Sequence, residues 1–352
     1  MIRTDSLKRQ SRFKQESSET FVKRVTVVAG SLAFLLTAVA CGAQQTPKQS
    51  SPPNAASAAN PSGGGGDVNA TMKNVNYHLT DKIIVHIVSL KGKLTPKADQ
   101  IVAFDDRQSF GIDVDSASVT LNTTSLTNDL NDYVFAKPDA PFKKLAATIE
   151  GDQLTVKGLL VSKGGIPFST TGTLAVTPEG MIRVHTTKVE ALHLPVKGLM
   201  DMLGLDTSKL VDTNKVEGVS VDKNDLILDP QVLLPPPKLR GRLTSIKIED
   251  GQIALAFAGK EERGSQQPLP NPCGARNYLQ FQGGTVRFGK LTMDQTDLVL
   301  LDMQPGDPFD FAMDHYKEQL AAGFSKMTQQ GGLCVYLPDY GKINRHAARR
   351  RS

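Results

Sequence analysis

The clearest alternation of apolar and polar positions runs from Leu226 to Phe257, LILDPQVLLPPPKLRGRLTSIKIEDGQIALAF. Asp250-Gly251 is a two-residue turn signal, because both central residues of such a turn need positive φ and Asp and Gly tolerate it. Pairing outward from the turn sets Ile248 against Ile253 and Ile246 against Leu255, with Phe257 on the same side. Lys247, Ser245, Ala254 and Ala256 take the other side, so one face is apolar and the other wet. Upstream, Pro235-Pro236-Pro237 cannot donate to a ladder and reads as a stiff crossing between apolar strands.

The same patterning predicts the rest of the body. Val75 to Leu94 reads as strand, with Ile83, Ile84, Val85, Ile87 and Val88 apolar on both faces. Phe110 to Asp115 and Ser118 to Leu121 form another strand interrupted near Ser116. Thr124 to Phe135 places Leu126, Leu130, Tyr133 and Val134 on one stripe of a short helix, ended by Pro138 and Pro141. Leu145 to Val156 is a hairpin turning at Gly151-Asp152, and Thr173 to Thr186 another turning at Pro178-Glu179-Gly180. Pro195 to Leu205 is a helix with Val196, Leu199, Met200 and Leu203 on one side. Val219, Val221 and Leu226 to Leu228 return to strand.

After a polar linker from Glu261 to Pro272, residues 261–340 read as a smaller α+β lobe. Gly283-Gly284 signals a hairpin between Tyr278–Phe281 and Thr285–Phe288. Leu291 to Met303 is strand, with Leu298 and Leu300 on one face. Asp307-Pro308 opens a helix striped by Phe309, Met313, Tyr316, Leu320 and Phe324. The fold class expected is therefore α+β: a curved antiparallel sheet over residues 71–260, wrapped around one or two short helices, followed by that lobe and a basic tail at 341–352.

The N-terminal pattern differs. A basic segment containing Lys8, Arg9, Arg12, Lys14, Lys23 and Arg24 precedes the uncharged run Val25 to Ala40 and then Cys41. This is the layout of a secretory signal over residues 1–41. The run falls short of the ~20 residues needed to span a bilayer as an uncleaved anchor. Ala38-Val39-Ala40-Cys41 resembles the bacterial lipobox, in which the cysteine is acylated, although Ala38 stands where Leu is commoner. Either reading places the rest of the chain outside the cytoplasm. Residues 42–70, rich in Ser, Pro and Gly, have no means of burying a core and form a flexible tether.

Composition narrows the partners. The net charge of +5 is mild and gathers toward the ends, against a nucleic-acid surface on the body. Trp is absent and aromatics make up 6%, so a binding surface must be largely aliphatic. That disfavours stacking on bases or sugars. With Cys41 acylated, Cys273 and Cys334 are left as an even pair, either bridged or as two separate buried thiols.

No catalytic constellation stands out. His78, His86, His185, His193, His315 and His346 lack ligand spacing, and the acidic pairs Asp105-Asp106, Asp113 with Asp115, and Asp294 with Asp297 lack the spacing of a calcium loop. No nucleophile elbow or P-loop occurs, so neither enzyme, cofactor nor metal is expected.

Residues 110–257 carry Asn131-Asp132-Tyr133-Val134-Phe135, Ile149-Glu150-Gly151-Asp152, Leu194-Pro195-Val196-Lys197-Gly198-Leu199, Asp229-Pro230 and Leu234-Pro235-Pro236-Pro237. In this layout the chain resembles bacterial envelope proteins of the LmeA type, which bind phospholipid, and through them the tubular lipid-binding superfamily. The resemblance implies a curled sheet around a helix with lipid in the slot between them. The region after Glu261 departs from it. The expected function is a membrane-tethered envelope lipoprotein, facing the periplasm or extracytoplasmic space, that binds or shuttles phospholipid or fatty acyl chains. Candidate lining residues are Ile84, Val88, Leu130, Leu199, Leu203, Ile246, Ile253 and Leu255. The alternative is a structural adaptor lipoprotein that meets an envelope protein partner through the C-terminal lobe.

Overall fold

A computed structural model describes residues 65–161, 165–191, 217–222, 225–259 and 271–343. The chain is mostly β with a few short helices, an α+β fold. The first strands are β1 (Val68–His78), β2 (Ile84–Pro96), β3 (Val102–Ala103) and β4 (Phe110–Leu121), after which α1 (Thr123–Asp129) runs into a π turn, Leu130–Val134. Then come β5 (Phe142–Glu150), β6 (Gln153–Leu160), β7 (Ile166–Val176), β8 (Ile182–Ala191), β9 (Val219–Asp222) and β10 (Asp225–Leu228). Helix α2 (Pro230–Leu233) leads to β11 (Lys238–Arg240), β12 (Arg242–Glu249) and β13 (Gln252–Ala258). The last part holds β14 (Tyr278–Gln282), β15 (Thr285–Phe288), β16 (Leu291–Asp294), β17 (Asp297–Asp302), β18 (Phe309–Ala312), α3 (Tyr316–Ala322), β19 (Phe324–Met327) and β20 (Leu333–Leu337).

The large sheet has the order β12-β13-β4-β2-β1-β14-β17-β20-β19 and curls into a half-barrel. Two central strands change partner along their length. β4 pairs with β11 at Gly111–Asp113 and with β13 at Ser116–Leu121, the change falling at a bulge that leaves Asp115 unpaired against β2. β1 pairs with β14 at Asn69–Lys73 and with β18 at Val75–His78, and Asn74 between them sits at φ 52°. A second sheet, β5-β6-β7-β8-β10-β9, lies against the first through β7 and β12. Ile149, Leu174, Val176 and Ile182 pack there onto the main core, and Arg242 Nη2 donates to the Pro178 carbonyl at 2.6 Å.

Three of the four hairpins with local turn signals form as expected. Ile248 faces Ile253 and Ile246 faces Leu255, with Asp250 and Gly251 at φ 50° and 70°. Ile149 faces Leu154, and Leu174 faces Val184.

Other expectations are corrected. Val75 to Leu94 is not one strand: it breaks between β1 and β2, where the Leu79 and Thr80 amides both donate to the Ile83 carbonyl. β1 begins at Val68, inside the span expected as tether. Gly283-Gly284 does not close a hairpin. β14 stays in the large sheet, while β15 leaves to pair with β16 and β3. The helix expected from Asp307 is a strand over Phe309–Ala312, because Phe309 and Phe311 are buried at period 2 alongside β1; helix begins only at Met313.

Among the described residues the expected C-terminal lobe does not stand apart from the sheet. β14 pairs directly with β1, and Leu279, Phe281, Leu298 and Leu300 share one core with Met72, Leu90 and Phe257. Residues Asn60–Ser352 form one compact unit. The polar linker had suggested a boundary, but strand pairing across it joins the two halves.

Candidate ligand cleft

β17 buries five consecutive residues, Leu298–Asp302. A strand covered on both faces loses its alternation. Leu298 and Leu300 look into the main core, whereas Val299 and Leu301 join Tyr278 and Cys334 in a small cluster on the opposite face. Cys273 packs there too, and a disulfide joins Cys273 to Cys334 with Cα atoms 6.0 Å apart.

On the core face, the end of the sheet is incompletely covered. A cleft of about 290 Å³ opens between a floor containing Leu298, Leu300, Leu333 and Val335 and a wall containing Phe288, Leu291, Met293 and Leu320. Gly323, Phe324 and Ser325 complete the lining, so the Ser325 hydroxyl is its only polar side chain. Leu291, Phe324 and Met327 stand at this edge 53%, 46% and 75% exposed.

The wall is held by polar groups behind it. Gln319 is fully buried: its Oε1 accepts from the Ala312 amide at 2.9 Å, and its Nε2 donates to the Asp310 and Pro338 carbonyls, both at 2.9 Å. The Tyr316 hydroxyl donates to Asp105 Oδ1 at 2.9 Å, and Lys317 pairs with the same carboxylate. The Lys317 hydrogen bond holds the Asp105 carboxyl below its ordinary range, while burial and then the bond to Asp105 push the Tyr316 hydroxyl up. Phe288 stacks on Phe104 at 4.1 Å between ring centres. Such a slot offers apolar area without proton-transfer groups. It suits a hydrocarbon chain or an apolar side chain.

The lining residues expected from sequence lie elsewhere. Ile246 and Ile253 are buried in the packed core, with Leu255 against it. Ile84 and Leu130 are half-buried. Val88 is 43% exposed: it is the extra residue of a bulge between Ile87 and Ser89, which shifts the buried set from Ile83 and Ile87 to Leu90 and Leu94. Leu199, Leu203, His193 and Cys41 lie outside the described residues. Of the residues that do form the cleft, Leu298 and Leu300 belong to an expected strand face and Leu320 and Phe324 to an expected helix stripe, Leu333 and Val335 to no expected element, and their convergence depends on which strands neighbour one another.

Polar groups elsewhere serve structure. His78 Nε2 lies 2.5 Å from Asp310 Oδ1, fastening β1 to β18, and His78 Nδ1 is buried without a partner, so no nucleophile completes the pair. His86 Nδ1 meets Asn76 Oδ1 at 2.9 Å, and burial lowers its pKa. Asp113 accepts from Thr95 and Arg240, and Asp294 from Thr285. Among the described residues no group of three or more His, Cys, Asp or Glu side chains could hold a metal ion, and no helix is long and apolar enough to cross a membrane. The chain matches no family model, no curated protein and no solved structure.

Proposed function

We propose that the chain is an envelope lipoprotein, tethered through acylated Cys41, that binds lipid by seating an acyl chain in the cleft beside β19. The observation that carries this reading is a slot of about 290 Å³ whose lining side chains are apolar except for Ser325, with exposed Leu291 and Phe324 among them. Each CH₂ withdrawn from water there contributes roughly 0.8 kcal/mol. The volume sits at the lower end of the ~300–1,000 Å³ of ordinary ligand sites, which favours one chain over two. The cleft lies after Glu261, beyond the stretch that carries the tubular lipid-binding resemblance, so the reading rests on its lining. The Cys273–Cys334 bridge supports export, because such bonds persist in oxidising compartments.

Mass spectrometry of protein purified without detergent is the direct test, with near-stoichiometric lipid as the expected result. Delipidated protein should take up a fluorescent fatty acid. Ser325→Trp, which fills the slot from an exposed position on β19, should weaken uptake by about 10-fold or more, the equivalent of losing one buried aliphatic contact. Its Tm should stay near the parent value. Uptake unaffected by Ser325→Trp and by Leu291→Asp removes the cleft as the site.

One observation favours the adaptor reading instead. β19 ends the large sheet, and all four of its residues are exposed. An extended segment of an envelope protein would find there both a strand edge and the cleft for its side chains. Absence of lipid uptake, together with envelope-protein crosslinks from a photoreactive residue at Ser325, would select it.

A further inference from the structure

Helix α1 and its π turn lie across the seam between the two sheets. Toward the large sheet, the Ile84 amide donates to Ser125 Oγ at 3.1 Å, and Asn128 Nδ2 donates to the Lys82 carbonyl at 2.8 Å. Toward the second sheet, the Ala147 amide donates to Thr127 Oγ1 at 2.9 Å. The Leu145 amide donates to Asn131 Oδ1 at 2.9 Å, and Asn131 Nδ2 donates back to the Leu145 carbonyl at 2.8 Å. β5 frees those groups through an irregularity between Lys143 and Ala146, with Lys144 at φ 52°. A third attachment comes from Lys238, whose Nζ donates to Tyr133 Oη at 2.9 Å and to the Val232 and Leu234 carbonyls at 3.1 and 3.2 Å. These partners take all three ammonium donors.

Asp129 sits at the junction of helix and π turn. It is 4% exposed, and its Oδ1 is buried without a hydrogen-bond partner. π turns are rare and recur where a local distortion has a use. Lys238, at the start of β11, is the charge acting on Asp129. Of the other charged groups on the packed elements, Lys82 pairs with Asp132 at 2.9 Å, Lys143 donates to the Phe135 and Lys137 carbonyls, and Lys144 and Glu150 on β5 are exposed. Tyr133 is held by Lys238.

We propose that α1 and its π turn form a pH-operated brace between the two sheets, seated while Asp129 is protonated and loosened when it ionises. A neutral carboxyl can remain in this dry position, whereas a carboxylate lacking hydrogen-bond donors is driven toward water. Burial raises the Asp129 carboxyl to about 7, with Lys238 pulling the other way. The folded protein therefore holds a proton that the unfolded or opened segment releases near 4, and stability declines as pH rises from that value through about 7.

Hydrogen exchange on the whole protein, corrected for intrinsic rates, reads this out. Protection of residues 123–134 and 142–150 should fall about 10-fold between pH ~6 and ~8, the change that a group titrating near 7 imposes on its opening equilibrium. Asp129→Asn keeps the shape without the charge and should hold protection flat across that range. A flat wild-type profile overturns the brace, as does an Asp129→Asn profile that follows the wild type. Should Asp129→Asn fail to fold, carboxyl NMR of the wild type decides: a shift midpoint near 7 supports the proposal, and one below about 5 ends it.

Discussion

Severing the Cys273–Cys334 bridge, by reduction or by the double change to serine, is expected to destabilise the fold by about 2–4 kcal/mol. The bond joins residues 61 positions apart, so cutting it returns substantial chain freedom to the unfolded state. The chain-entropy estimate for a loop of that length is about 4 kcal/mol, an upper figure because unfolded chains keep some structure. The folded side adds a local reason. Tyr278, Val299 and Leu301 are buried on the sheet face opposite the main core by a small cluster that includes both cysteines. Loosening the segment around Cys273 would wet that face and leave β17 covered on one side only. Urea unfolding of the oxidised protein and of the Cys273→Ser/Cys334→Ser variant measures the effect. Coincident midpoints would show that the bridge carries no stability.

Gly92→Ala is expected to cost about 2–4 kcal/mol, far more than glycine-to-alanine changes usually do in a strand. A Cβ built on Gly92 falls 2.2 Å from the Asp113 carbonyl oxygen, which is backbone and cannot swing aside. The close approach follows from register. Lys91 faces Ser116 but Gly92 faces Val114, so the extra Asp115 pushes the backbone of β4 toward β2. The second sheet repeats the arrangement: Thr171 faces Lys188, Gly172 faces Thr186, and a Cβ on Gly172 falls 2.5 Å from the His185 carbonyl oxygen. Gly172→Ala should therefore destabilise as well. The smaller effect is expected there, because β7 is partly exposed whereas β2 and β4 are central to the large sheet. Thermal or urea unfolding of the two variants, compared with Gly306→Ala, where nothing lies near the added Cβ, tests the argument. Equal losses at Gly92 and Gly306 would refute the steric account.

Local chemistry made the hairpins legible. Asp250-Gly251 and Gly151-Asp152 specify turns, and with a turn in place the parity of Ile246, Ile248, Ile253 and Leu255 leaves a single register that buries the apolar set. Val88 stands in a stretch apolar on both faces, where parity gives no answer, and its exposure follows from a bulge that adds one residue and inverts every later position. The helical stripe misreads Phe309–Phe324. Phe309, Met313, Tyr316 and Leu320 satisfy a helical stripe, yet pairing with β1 claims Phe309–Ala312 as strand and confines the α-helix to Tyr316–Ala322.

The sequence by itself determined the mainly antiparallel class, the three local hairpins and the aliphatic character of the chain, because each depends on near neighbours and on residue chemistry. Tertiary structure decided the rest: that β14 continues β1's sheet across a polar linker, that Leu298, Leu320 and Val335 meet around a cleft, and that Asp129 is buried between two sheets. Those outcomes arise from pairings between segments far apart in the chain, where many combinations satisfy the same pattern of apolar positions and only the one that closes a common core survives.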